Sequence, residues 1–252
     1  MISFYSTNLI DNASMTASSE NALFPLANLK DDRRTKVFRS NTNGDSIVFD
    51  FGSASVVNSI LLVDSPRSGF GILTATLQMN TTNVWTSPAF STAVTINTTQ
   101  GFGFKEFPNE TYRYARIVLT SALGYCELSN IFIGQEITFA NGMGIDLGWN
   151  YQDKELSTIK ENRYGQKFVD IISRQKQISF SIRSMDKTEL DQVLMVYDSK
   201  GTTRPFFARI GDASMINDPD RFAGMFYLNS IPQINNKSYG LYDISMNLEE
   251  AT

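Results

Sequence analysis

The sequence predicts a mostly β protein: an N-terminal jelly-roll β-sandwich followed by a β-barrel-like domain with one flanking helix. Short runs of alternating apolar residues recur from Ile47 to Gly134, separated by Gly, Asn, Ser and Pro clusters, as in the strands of a sandwich. A glycine-rich stretch, Asn141-Gly142-Met143-Gly144, then interrupts the pattern and divides the chain into domains 1–136 and 137–252. Beyond it, residues 187–199 carry apolar side chains at helical spacing.

In the first domain Ile47, Phe49 and Phe51 alternate with Val48 and Asp50, and Gly52 is expected to end that strand. The runs VVNSILLV, LTATLQM and AVTINTT follow, and then GFGFKEF, whose Phe102, Phe104 and Phe107 read as a strand or a hydrophobic surface. In YRYARIVLTS, Ile117 and Leu119 alternate with Arg116, Val118 and Thr120, and CELSNIFIG closes the set. The second domain opens on a strand at Gly148-Trp149-Asn150-Tyr151, and the polar STIKENRYG at 157–165 reads as a long hairpin or arm. Ile178, Phe180 and Ile182 then share one strand face. Asp186 and Glu189 form a capping-box pair, Leu190, Val193, Leu194 and Tyr197 make the apolar stripe, and Gly201 stops the helix. Pro205 starts the next strand, where a missing N–H leaves no ladder bond unmade, and the alternating GLYDISMNL is the last strand.

Composition excludes several functions. The chain has 252 residues, 19% of them charged and 12% aromatic, the balance of a globular protein. A net charge of −4 argues against general nucleic-acid binding, and no specificity for nucleic acid is expected. No apolar run approaches the roughly 20 residues of a membrane helix, so no membrane insertion is expected. The start MISFYSTNLIDNAS lacks the pattern of a signal peptide, so synthesis in the cytoplasm is expected. There is one cysteine, Cys126, and no histidine, which removes a disulfide framework and the commonest general base and metal ligand. Cys126 lies in an apolar run and reads as a small buried hydrophobe. No catalytic residue, metal or cofactor is expected: Asp31, Asp32 and Asp45 offer oxygen ligands for calcium at a spacing that matches no compact loop. No carboxylate pair stands at a spacing that would suggest a glycosidase.

The order Asn28-Leu29, Asp31 to Ser40, Ile47-Val48-Phe49-Asp50-Phe51-Gly52, Val57-Asn58-Ser59-Ile60-Leu61-Leu62, Tyr114 to Leu119 and Glu127 to Gly134 resembles a discoidin-type, galactose-binding-like jelly roll over about the first 135 residues. The resemblance implies that loops at one end of the sandwich bind sugars, lipids or proteins, often beside a structural calcium. It makes Arg33, Arg34, Lys36 and Arg39 the candidate ligand or partner loop. Read from the residues, the same run is a solvated loop beside an apolar strand. Phe38 stands where sugar-binding members carry Trp, which leaves Tyr5, Phe70, Trp85, Phe102 and Phe104 for stacking on a sugar.

From Gly148 to Glu250 the chain resembles the ring-forming modules of siphophage tail-tip proteins. The likeness rests on the Gly148-Trp149 start, the basic hairpin, the 178–182 strand, the 187–199 helix, Gly201 to Pro205, Arg221 to Leu228 and the end at Leu248-Glu249-Glu250. It implies a split β-barrel with one helix that assembles edge to edge. The expectation is a virion structural protein of a long-tailed phage, in the distal tail or baseplate, with six copies in a homo-oligomeric ring and three as the alternative. Its partners would be the tail tube protein and the tail-tip hub or fibre proteins, through Thr158, Lys160, Arg163, Tyr164 and Arg204. The alternative function is a carbohydrate-binding module, attached to such an assembly, that recognises host surface glycans.

Overall fold

The computed structural model of the chain describes residues 2–5, 7–63, 71–98, 101–138, 149–210 and 222–251. They form two units, Thr7–Glu136 and a second made of Met1–Ser6 with Ile137–Thr252. The glycine-rich stretch at 139–148 and Phe70 lie outside the described residues.

The unit Thr7–Glu136 contains β2 (Ser14–Ala17), β3 (Phe38–Arg39), β4 (Gly44–Val63), β5 (Ile72–Asn80), β6 (Phe90–Asn97), β7 (Phe102–Ser121), β8 (Glu127–Leu128) and β9 (Asn130–Gly134). Two 20-residue strands, β4 and β7, pair antiparallel and change neighbours along their length. The first half of β4 takes β2 and the second half takes β9, while β7 meets β6 early and β5 late. The curled sheet wraps one core, in which Ile47, Phe49, Leu77, Ile117, Leu119, Leu128 and Ile133 are buried.

The length of β4 corrects the expectation that Gly52 ends a strand. The ladder shifts register between Asp50 and Ser55, and Gly52 takes a positive φ of 80° with its N–H bonded to Asp50 Oδ1 at 2.8 Å. The glycine therefore makes a bulge that bends one strand without stopping it. A second shift, between Val57 and Ser59, falls opposite Pro108, which has no N–H to give the ladder. The runs at 101–107 and 112–121 are thus one strand.

The second unit is one curled, barrel-like antiparallel sheet of β1 (Ile2–Tyr5), β10 (Ile137–Thr138), β11 (Asn150–Glu161), β12 (Lys167–Met185), β13 (Phe206–Ile210), β14 (Ala223–Leu228), β15 (Gln233–Ser238) and β16 (Leu241–Glu250). The strand order is β10-β1-β13-β14-β16-β12-β11, with β15 also paired to β16. Domains of 1–136 and 137–252 do not match this division at the N-terminus, because β1 lies between β10 and β13. Phe4 is fully buried, 5.5 Å from Phe206 in an edge-to-face contact, and Tyr5 meets Phe207 at 5.4 Å. Burying two aromatic rings holds a four-residue strand in the later sheet.

Helix α1 (Lys187–Lys200) has the predicted capping box, with Glu189 N–H bonded to Asp186 and Glu189 bonded back to Asp186 N–H, and it ends at Gly201 with a positive φ of 58°. Its buried apolar line is Leu190, Val193 and Val196. Leu194 and Tyr197, expected in the stripe, are half-buried at its margin. The i, i+3, i+6 line is the narrow contact of one helix lying on a curved sheet.

Candidate functional site

Two of the four cations predicted for the ligand loop, Arg33 and Arg39, are paired with carboxylates. Exposed Arg33 pairs with Asp31, its Nη2 2.6 Å from Oδ2 and its Nε 2.9 Å from Oδ1. That hydrogen-bonded guanidinium holds the Asp31 carboxyl down at about 2. Arg34 is half-buried, and exposed Lys36 donates its backbone N–H to Arg33 O. Arg39 points elsewhere. Its guanidinium lies between the rings of Phe24 (4.4 Å) and Tyr125 (4.2 Å) and pairs with Glu127, whose side chain is 2% exposed. β3 and β8 bring this about, since Arg39 stands opposite Glu127 in their ladder. Arg39 therefore stands on a strand, packed between two rings and paired with a carboxylate, apart from the loop that carries Arg33, Arg34 and Lys36. Among the described residues no three metal-ligating side chains come together, and Asp31, Asp32 and Asp45 do not form a group.

Of the aromatic residues considered for stacking, Tyr5 and Phe102 are buried, and Tyr5 belongs to the other unit. Trp85, in the loop between β5 and β6, is half-buried at the surface, its Nε1–H held by Asn83 Oδ1 at 2.7 Å. The guanidinium of Arg116 lies 5.0 Å from the Trp85 ring. Arg116 Nε and Nη2 both donate to Gln78 Oε1, at 2.9 and 2.6 Å, because Gln78 and Arg116 are directly opposite on β5 and β7. Ile117 and Leu119 point into the core, so Arg116, Val118 and Thr120 point outward from β7. With Ser18, Gly44, Asp45, Ser46 and Leu119 they line an open depression of about 380 Å³. It follows β7 from Arg116 to Thr120, about 14 Å, or four steps of about 3.4 Å each.

The polar groups here are ordered by one another. Asp45 is 4% exposed, and its Oδ1 accepts from Ser18 Oγ and from the N–H groups of Ser19 (3.1 Å) and Ser46 (2.8 Å). Thr74 and Thr120 share a hydrogen bond of 2.6 Å between their hydroxyls, which leaves one O–H of the pair to donate outward. Burial lowers the Arg116 pKa from its ordinary value. Cys126 is buried in the core and burial pushes its thiol up to about 11, the inert state expected of it. Gln78 and Arg116 were not singled out by the sequence reading. The alternation around each marked an outward position, but their pairing, 38 residues apart, needed the register.

In the second unit, β12 meets β16 only from Gln177 onward, so Lys167–Lys176 have β11 as their one neighbouring strand among the described residues. Thr158 and Lys160 lie on β11, and Arg163 and Tyr164 on the turn that joins it to β12. Asn162 Oδ1 accepts from the N–H groups of Tyr164 and Gln166, and Gly165 takes a φ of 79°. Arg163 stacks on exposed Tyr164 at 4.7 Å. Arg204 is exposed in the turn after α1, with its N–H bonded to Lys200 O. A second depression, of about 420 Å³, includes Gln175, Tyr227, Glu249 and Glu250, but lysines already pair with both carboxylates.

No family model and no curated protein matches the chain. Among solved structures, the family 32 carbohydrate-binding module of C. perfringens NanJ in complex with galactose aligns over 53% of this chain and 98% of its own, at 12% identity and a TM-score of 0.43. The lectin domain of lectinolysin complexed with Lewis B antigen aligns over 52% and 98%, at 11% identity and 0.46. Chitosan-binding module 1 from a chitosanase/glucanase of Paenibacillus sp. IK-5 aligns over 51% and 99%, at 25% identity and 0.41.

Proposed function

We propose that this chain is a carbohydrate-binding protein, whose sandwich holds a glycan in the depression beside Arg116 and whose second unit attaches it to a larger assembly. The cluster of Trp85, Arg116 and Gln78 supports the reading. Arg116 lines the depression, its guanidinium fixed by an amide and laid over one face of the Trp85 indole, so oriented donors and an aromatic surface stand side by side next to it. Asp45 is the one carboxylate among the residues lining the depression, while glycoside hydrolysis uses two, so the reading is binding without catalysis. The test is a glycan array probed with the full chain and with Trp85→Ala and Gly44→Phe. Nothing lies within 4 Å of where a Gly44 side chain would begin, and Gly44 lines the depression, so a phenyl group there is expected to obstruct it. Saturable binding lost in both variants is expected. Unchanged binding in both, or none by the parent, refutes the site.

The β11–β12 ribbon favours a second, compatible reading, that of a structural protein of a phage distal tail or baseplate. An isolated two-stranded ribbon is marginal in water, and partners that cover it would stabilise it. The arm then reaches a neighbouring copy in a ring, or the tail tube, and the sandwich is displayed toward host glycans. Replacing residues 157–171 by a short turn, with the melt of the rest retained, is expected to abolish ring formation or virion incorporation. Normal rings of the shortened protein contradict this reading.

A further inference from the structure

The arginines of the sandwich differ in what neutralises them. Arg33 is paired with Asp31, Arg39 with Glu127 and Arg113 with Asp50. Arg116 has no carboxylate partner among the described residues, and both of its bonded N–H groups end on the neutral oxygen of Gln78. An arginine held by an amide and an indole keeps its full charge while its orientation is fixed, and that arrangement leaves a fork of donors for an anion. Hydroxyl groups follow it along the depression. Ser46 points outward on β4 opposite Val118, and the Thr74–Thr120 pair, with one O–H to give, stands four residues along β7 from Arg116. Asp45 lies toward the opposite end of the depression, opposite Leu119 in the ladder, three residues along β7 from Arg116. A ligand that fits is anionic at the Arg116 end and hydroxylated along its length.

We infer that the depression selects acidic oligosaccharides, with the carboxylate of one sugar on the Arg116 guanidinium beside Trp85 and the hydroxyls of the following sugars toward Ser46 and Thr120. This rests on the glycan-binding reading and goes beyond it in naming the ligand class. Arg116 is half-buried, and the burial that lowers its pKa disfavours the charged guanidinium, a cost that an anionic ligand offsets. Gln78 acts as a positioning residue for the fork.

The test is calorimetric titration of the full chain with uronic-acid oligomers and sialyl-lactose, each beside its methyl ester, and with lactose and sodium acetate. The ester keeps the sugar and removes the charge. At least one acid is expected to bind about tenfold or more tighter than its ester, the range of a charge-assisted hydrogen bond, and to weaken as salt rises. Arg116→Gln is expected to erase the acid–ester difference, and Arg116→Lys to keep part of it, with thermal melts establishing that both variants fold. Equal binding of acid and ester, or binding of lactose alone, overturns the preference while leaving the glycan site standing. Acetate bound as tightly as the acidic sugar overturns it as well. Failure of every sugar overturns both readings.

Discussion

Replacing Arg39 by alanine is expected to unfold the sandwich far more easily than loss of a surface arginine would. Glu127 keeps 2% of its side chain exposed, and Arg39 is its ion-pair partner at 23% exposure, so the variant leaves a carboxylate buried without its counter-ion. Removing one member of a buried pair costs about 3–5 kcal/mol. Two aromatic faces lose the guanidinium as well, a contribution of about 0.5–1 kcal/mol each that overlaps the first and is not simply additive. An exposed arginine in a ligand loop costs within about 0.5 kcal/mol. The two tryptophans separate the signals, since Trp85 lies in the sandwich and Trp149 in the other unit. In a Trp149→Phe background, urea unfolding followed by indole fluorescence reports the sandwich alone. The double variant Arg39→Met with Glu127→Leu is expected to recover most of the loss, because no charge is then stranded. A cost below about 1 kcal/mol for Arg39→Ala, or a double variant no better than the single, refutes the packed-pair account.

The remaining predictions concern local features. Leu190→Ala is expected to cost about 2–4 kcal/mol and half-buried Leu194→Ala clearly less, measured by urea unfolding with Trp149 as the probe; equal losses would misplace the buried line of α1. Asp186→Ala is expected to cost about 1 kcal/mol through the capping box, and an unchanged melt would contradict it. The Asp31 carboxyl carbon is expected to titrate near 2 in NMR and to rise toward its ordinary 3.8 in Arg33→Ala. Since the folded value is the lower one, that contribution to stability is present above the unfolded value and disappears as pH falls through about 2. Cys126 is expected to resist thiol reagents at pH 8 until urea unfolds the sandwich, and stoichiometric labelling of folded protein would contradict its burial.

What was legible in the sequence follows the distance over which each feature is decided. The capping box and Gly201 stop of α1 are set within a few residues, and both were read directly. Alternation showed that Arg116 and Gln78 leave the core, but their meeting depends on the β5–β7 register. Arg39 looked like a loop cation because Glu127, which neutralises it, lies 88 residues away. Likewise β1 is too short to announce a partner strand some 200 residues later. Gly52 carried the right signal, a positive φ, yet a bulge and a strand end ask the same of a glycine.

The most direct test of the glycan-binding account is the ¹⁵N spectrum of the full chain, read at the Trp85 indole N–H and the Arg116 Nε–H, while acidic and neutral oligosaccharides are added. Both signals are expected to shift together and saturate with at least one acidic glycan, and the Trp149 indole to stay in place. No shift with any sugar, or shifts confined to Trp149, would contradict the account.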